Sequence, residues 1–362
     1  MSNKINFLKF IDRKLGKSLI FLFPEKLKLN QIFPDTIKSI LVIRPGGIGD
    51  AVLLIPAIEA VRMKFPDARI DILCEKRNAD IFILTKMVNK VYLYDRGLEL
   101  FKCLRNNYDV VIDTEQWHRL SAIVARMTGT PIRIGFDTNE RQKLFTHRVF
   151  YSQDDYEVVS FFRLLEPLGV NPDRGCGNPP FIDIRGEGFS PPSALSREDR
   201  VVVVFPGASV IERRWGGDRF GVVAKALSDM EYRILLLGSS ADKADADLIK
   251  KKAPDAIDLT GKTDLKQVTA VLGISNLLIS ADSGLLHIAY AVGTPTVSLF
   301  GSGIEKKWAP QGDRHIVLNK HLDCSPCTRF GYTPKCKRNV ECLASIRVDE
   351  VIEAARRILD AS

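Results

Sequence analysis

The hydrophobic pattern of this chain alternates between short apolar runs and longer amphipathic ones. From Pro34 onward, runs at Ile40 to Ile43, Arg69 to Leu73, Val91 to Tyr94 and Tyr108 to Ile112 predict strands. Helical segments separate them at about Asp50 to Lys64, near Ala79 and from about Trp117. Strands alternating with helices of this length imply right-handed βαβ units around a parallel sheet. Between Gly169 and Ser196 the chain becomes rich in Pro, Gly and Ser, the composition of a linker. A second series then predicts strands at Val201 to Phe205, Tyr232 to Leu237, Leu277 to Ile279 and Thr296 to Phe300. Its helices lie around Phe220 to Leu227, Lys243 to Lys251, Leu265 to Leu272 and after Gly284, and a last one spans Val348 to Leu359.

The expected class is therefore α/β, with two Rossmann-like domains whose parallel sheets face a central cleft at the carboxyl ends of the strands. The expected boundaries are a basic amphipathic segment at 1–33, a first domain at 34–175, a second at 176–345 and a final helix at 346–362 that packs back on the first domain. A length of 362 residues fits two domains of about 150 each.

Composition adds little to the fold but narrows the setting. With 45% hydrophobic and 27% charged residues, the chain reads as an ordinary globular protein. No apolar run approaches the roughly 20 residues that cross a bilayer, and Leu19 to Phe23 is too short for a signal-peptide core. A cytoplasmic location is expected. The formal charge of +8 favours acidic ligands or surfaces. Part of that excess is local: residues 1–30 hold Lys4, Lys9, Arg13, Lys14, Lys17, Lys26 and Lys28 against Asp12 and Glu25, interleaved with Phe7, Phe10, Leu15, Leu19, Ile20, Phe21 and Phe23. Such a segment either lies on the anionic inner-membrane surface or packs on the protein itself. Nucleic acid is not an expected partner, because Trp117, Trp215 and Trp308 are too scattered to form a stacking platform.

Three turns concentrate the chemistry. The first, IRPGGIGDAVLLIPA (Ile43 to Ala57), places Gly46, Gly47 and Gly49 before Asp50 at the start of an apolar helix, without the G-x-G-x-x-G spacing of dinucleotide sites. Asp50 is either a helix N-cap or a carboxylate placed to take a proton from an incoming hydroxyl. The second runs from strand Val201 to Phe205 into Pro206, Gly207, Ala208 and Ser209, followed by Arg213, Arg214 and Trp215. Arginine binds phosphate through a planar fork and keeps its charge, although a solvated pair is the plainer reading. The third is ISADSGLLHIAYAVGTPTVSLFG (Ile279 to Gly301): a strand, a small-residue turn with Asp282, Ser283 and Gly284, a helix carrying His287, and a second strand. A helix that begins at a glycine beside a strand end offers free amides and a positive dipole end to an anion.

These segments, together with DTEQWHRLSA (Asp113 to Ala122) and a CxxC with two later cysteines, resemble in order and spacing the heptosyltransferase family, glycosyltransferase family 9. These bacterial enzymes build the inner core of lipopolysaccharide, and the resemblance runs from about Ile40 to Leu359. It implies a GT-B fold and an inverting, metal-independent transfer from an ADP-heptose co-substrate to a lipopolysaccharide core or lipid A-Kdo acceptor, with no cofactor required. Carried over residue by residue, it makes Asp50 the candidate general base. Arg213 matches a position that is commonly lysine and contacts the donor diphosphate. Ala208, Ser209, Asp282, Ser283, Gly284, Leu285 and His287 match the donor turns, and Thr263 and Leu265 fall near the adenine pocket. On the acceptor side, Gly47, Glu115, His118 and Arg119 are the candidates, with Arg133, Arg141 and His147 as a further basic region. A related glycosyltransferase with another nucleotide sugar, or a nucleotide-sugar epimerase of the same fold, remains the alternative.

Four of the seven cysteines, Cys324, Cys327, Cys336 and Cys342, fall within nineteen residues. They could hold a structural zinc as thiolates, although the second pair is spaced more widely than in ordinary zinc ribbons. Reduced thiols or an adventitious disulfide are the competing reading.

Overall fold

The structure, a computed structural model, describes residues 3–23, 29–170, 177–184, 195 and 199–361, leaving the side chains of residues 3–6, 8 and 9 aside. Most of the expected linker, and Cys176, lie outside the described residues. The chain divides into two units, Met1–Gly177 and Asn178–Ser362.

In the first unit six strands form one sheet: β1 (Ser39–Arg44), β2 (Arg69–Cys74), β3 (Lys90–Leu93), β4 (Val110–Asp113), β5 (Ile132–Phe136) and β6 (His147–Val149). Their order is β3-β2-β1-β4-β5-β6, and every neighbour is parallel. Ile40, Leu41, Val42 and Ile43 of β1 are all buried, as a central strand covered on both faces requires. Ile43 pairs with Leu73 on one side and Asp113 on the other. The residues after β1 and β4 therefore leave adjacent strand ends, at the point where the strand order reverses. Open α/β sheets bind ligands at such a switch point.

The second unit repeats the plan with β7 (Val201–Phe205), β8 (Arg233–Leu236), β9 (Ile257–Asp258), β10 (Leu277–Ala281), β11 (Thr296–Leu299) and β12 (His315–Leu318). The order is β12-β11-β10-β7-β8-β9, again all parallel, so β7 and β10 take the places of β1 and β4. The strands that the hydrophobic pattern does not predict are the least regular ones. In β5, Arg133 and Gly135 interrupt the apolar run, and a Cβ on Gly135 would stand 2.4 Å from the Phe145 ring. β9 has only two residues, and β12 is a half-buried edge.

Two terminal helices settle where the ends of the chain pack. The final helix, Val348–Leu359, was expected on the first domain; it packs instead on the Gly217–Ser228 helix and on β10, β11 and β12. Its stripe of Val351, Ala354, Ala355, Ile358 and Leu359 has the spacing of one helical face and joins the core of the second unit. The N-terminal helix, Asn3–Phe21, packs on the Arg119–Met127 helix of the first unit. Asp12 is buried, and its Oδ1 accepts from the amides of Arg119 at 2.6 Å and Leu120 at 2.7 Å. No side chain of the Arg119–Met127 helix's own cap residue does this, so Asp12 caps it from another element. Gly16 permits the close approach: a Cβ there would meet Arg119 Cδ at 3.1 Å. Ile20 enters the core.

Candidate active site

At the switch point of the second unit the turn after β7 meets the turn after β10. Arg213 ends a short 3-10 turn, Ile211–Arg213, and its Nη1 lies 2.9 Å from Asp282 Oδ2. Both groups are largely withdrawn from water, with side-chain exposures of 17% and 6%. Arg213 Nη2 reaches Thr328 Oγ1 at 3.5 Å, and its Nε is buried without a hydrogen-bond partner among the described residues. Gly303 lies behind Asp282, where a Cβ would stand 2.1 Å from Oδ2 and force the carboxylate to move. Ser283 caps the Gly284–Ala291 helix, accepting from Leu286 N at 3.4 Å while its hydroxyl bonds Ser280 Oγ at 2.9 Å. The amides of Gly284 and Leu285, the first two of the helix, have no acceptor within it. His287 is buried one turn further in.

The loop that carries Arg213 is fixed by its neighbour. Arg214 donates from Nε to Ala208 O at 3.1 Å and pairs with Asp245 at 3.0 Å and Asp242 at 2.9 Å. Of the two arginines, Arg214 thus holds the turn in shape and Arg213 points to the switch point. Ala208 is buried and Ser209 exposed. Trp215 packs edge-on against Phe220 and donates Nε1 to Ile346 O at 3.1 Å, a packing task. Thr263 and Leu265 follow β9 at the same edge of the sheet. There Asp264 and Gln267 form a capping box, and Thr263 Oγ1 is buried without a partner among the described residues.

At the switch point of the first unit the charges are arranged the other way round. Arg44, the last residue of β1, is buried; its Nη1 donates to Thr114 O at 2.7 Å and its Nη2 lies 3.2 Å from Asp50 Oδ2. Burial works against its charge, but Asp50, Glu115, Glu157 and Tyr151 outweigh that and raise its pKa. Gly46, at φ 117°, makes the turn that lets the chain pass over this guanidinium. Asp50 is the third residue of the Ile48–Lys64 helix, and the cap position belongs to Gly47, which makes no side-chain cap bond. The carboxylate is thus not a helix cap. It is 26% exposed, in front of a cation that is 2% exposed.

The other acceptor-side candidates are engaged inside the unit. Glu115 Oε1 accepts from the amides of Gln116 at 3.0 Å, Trp117 at 3.1 Å and His118 at 3.4 Å. Burial would raise its pKa, but His118, Arg44, Arg141 and the Trp117 amide hold it down at about 2. His118 Nδ1 lies 3.4 Å from Asp12 Oδ2, and Arg119 binds Glu140 Oε2 through Nε at 2.9 Å and Nη2 at 2.7 Å. Arg141 is inaccessible and pairs with Asp113 at 2.6 Å, and Arg133 donates to Leu144 O at 2.9 Å. Sequence reasoning did not find Arg44, Asp12, Gly303 or Thr328. Only Arg44 left a local signal, a charge closing an otherwise apolar strand.

Cys324, Cys327, Cys336 and Cys342 line one pocket with Glu212. Among the described residues, however, no group of three or more His, Cys, Asp or Glu is placed to hold a metal ion, so the zinc reading gains no geometric support. The segment instead braces the turn that carries Arg213. The amides of Cys327 and Thr328 donate to Ser302 O at 3.2 and 2.9 Å, and Cys336 N donates to Glu212 Oε1 at 3.3 Å.

Two units, each a six-stranded parallel sheet of the same strand order, are the plan that GT-B glycosyltransferases share. A family model described as glycosyltransferase family 9 (heptosyltransferase) matches residues 98–337. Lipopolysaccharide heptosyltransferase 3 of Escherichia coli K12 is 30% identical over 338 residues, covering 86% of this chain and 95% of that one. Among solved structures, E. coli ADP-heptose lps heptosyltransferase II shares 22% identity at a TM-score of 0.69, covering 89% of this chain and 99% of that one. E. coli heptosyltransferase WaaC with ADP-2-deoxy-2-fluoro heptose shares 17% at a TM-score of 0.70, with the same coverages of 89% and 99%. The chain belongs to glycosyltransferase family 9, the heptosyltransferases, and is a glycosyltransferase.

Proposed function

We propose that this enzyme moves a heptose from ADP-heptose to a lipopolysaccharide inner-core acceptor, in one displacement with inversion at the anomeric carbon. The observation that carries the donor side is Arg213, held by Asp282 beside the open end of the Gly284–Ala291 helix. Nη1 of the guanidinium faces the carboxylate and Nη2 reaches Thr328, and the buried Nε remains for a ligand oxygen. The amides of Gly284 and Leu285 add a second donor set, which suits a diphosphate. Thr263 Oγ1 is a buried hydroxyl that an adenosine group would satisfy.

In the reaction the acceptor hydroxyl gives its proton to Asp50 while its oxygen forms a bond to the anomeric carbon. The bond from that carbon to the diphosphate oxygen breaks, and ADP leaves with the electron pair. Arg44 holds Oδ2 of Asp50, so the proton passes to Oδ1. Charge growing on the departing diphosphate is stabilised by Arg213 and the helix terminus, groups already in place before the bond breaks. These groups supply the positive charge that the leaving group needs, and on this reading no divalent ion is required. A lipid-linked acceptor places the work at the cytoplasmic face of the inner membrane.

The test is a binding panel of ADP-, UDP- and GDP-sugars, then turnover with deacylated core acceptor in the presence and absence of a chelator, with the product anomer read by NMR. Preference for ADP-heptose, inversion and chelator-resistant turnover are expected. A uridine or guanosine preference overturns the donor, and retention overturns the single displacement.

A further inference from the structure

The N-terminal helix, Asn3–Phe21, has an inner face whose work is done. Asp12, Gly16 and Ile20 fix it to the first unit. Its outer face is a different surface. Phe7, Phe10, Leu15, Phe21 and Leu22, the last just past the helix end, are 51% to 74% exposed. At 100° per residue, Phe10, Phe21, Phe7, Leu22 and Leu15 follow one another over an arc of roughly 140°. Exposed Lys14 lies within that arc, exposed Lys17 about 20° outside its edge, and exposed Arg13 about 60° outside, on the flank of the helix. The helix has one acid, Asp12, and it is buried on the opposite side, so every exposed charge described on the helix is positive. Glu140, which reaches Lys17 at 3.4 Å, is also bound by Arg119 at 2.7 Å.

We infer that this outer face, Phe7, Phe10, Leu15, Phe21 and Leu22 with Arg13, Lys14 and Lys17, docks on an anionic lipid surface. A run of exposed phenylalanines is unusual on a soluble surface and marks an interaction site. Aromatic and aliphatic side chains flanked by basic ones, with no exposed acid among them, are the composition of a helix lying in a lipid interface. A second copy of the chain is a poor occupant, because pairing the face with itself would set Arg13, Lys14 and Lys17 against their own copies. Asp12 and Gly16 also hold the helix already folded, so docking pays no cost of helix formation. The inference gives the proposed lipid-linked acceptor a matching surface but does not rest on the sugar chemistry.

The experiment is co-sedimentation of the full chain with phosphatidylcholine vesicles, with and without phosphatidylglycerol, as salt is raised. Binding is expected only with the anionic lipid and should weaken with salt. Phe7→Ser/Phe10→Ser/Phe21→Ser should lower partitioning by roughly tenfold or more. Arg13→Gln/Lys14→Gln should lower it by roughly fivefold for each charge removed. In both variants ADP binding and turnover with deacylated acceptor should be unchanged, which shows that the fold and the site persist. Equal partitioning of variants and parent, or equal binding to neutral vesicles, overturns the inference. So does a concentration-dependent dimer in sedimentation velocity that the phenylalanine substitutions abolish, which would assign the face to a second copy. Loss of transfer activity with vesicle binding intact would count against the proposed function alone.

Discussion

The two switch points of this protein share a strand order and differ in which charge faces outward. In the first unit the cation is behind and the acid in front: Arg44 is 2% exposed and Asp50 26%. In the second the acid is behind and the cation in front, with Asp282 at 6% and Arg213 at 17%. Each rear group is anchored, Arg44 by the Thr114 carbonyl and Asp282 by its close fit against Gly303. A buried ion pair contributes little net stability, because desolvation offsets attraction. Its value here is placement: the rear charge fixes the position of the front one. One scaffold, used twice with reversed polarity, turns a carboxylate outward in one unit and a guanidinium in the other, which the proposed mechanism uses as proton acceptor and anion binder.

The largest effect should come from removing the front group of the first unit. Asp50→Ala should lower turnover by about 10²- to 10⁴-fold, the usual range for a positioned general base, and leave the donor dissociation constant nearly unchanged. Arg213→Ala should lower kcat by about 10²- to 10³-fold and also weaken ADP binding, with Arg213→Lys recovering part of both. Steady-state kinetics with calorimetric ADP titration separates these two patterns, and identical patterns would break the comparison.

The rear shell gives a smaller, pH-dependent effect. Glu115 titrates near 2, against an ordinary value of 4.5. A depressed carboxylate stabilises the fold above its unfolded pKa, and that contribution is lost as pH falls from about 4.5 toward 2. Glu115→Gln should therefore cost about 3 kcal/mol at neutral pH, and the deficit should close in acid. Urea unfolding followed across that range checks this, and a deficit independent of pH would remove the electrostatic cause. Last, Gly303→Ala should push Asp282 aside and free Arg213, weakening ADP binding by about tenfold with turnover at saturating donor less affected, because the expected loss is one hydrogen-bonded contact. An unchanged affinity would show that Asp282 does not need the space.

Much of this plan was legible in the chain. Val201 to Phe205 and Val348 to Leu359 match their elements residue for residue, because an apolar run buried on both faces and a one-sided stripe are local patterns. The turns holding Asp50, Arg213 and Asp282 were legible for the same reason. What was not legible depends on partners far apart in the sequence. Asp12 caps a helix 107 residues away, Gly303 matters only because Asp282 stands against it, and Thr328 meets Arg213 across 115 residues. Arg119, read as an acceptor contact, is tied to Glu140 and packed over Gly16, contacts that no local spacing encodes.

The most direct test of the reversed polarity is single-turnover heptosyl transfer at saturating ADP-heptose in Asp50→Asn and Arg213→Gln, with the donor dissociation constant taken from the same titration. Asp50→Asn should lose the rate while binding donor within about threefold of the parent, and Arg213→Gln should lose donor affinity as well as rate. Donor affinity lost equally in both variants, or an Asp50→Asn enzyme that still transfers heptose at the parent rate, would contradict the division of labour between the two units.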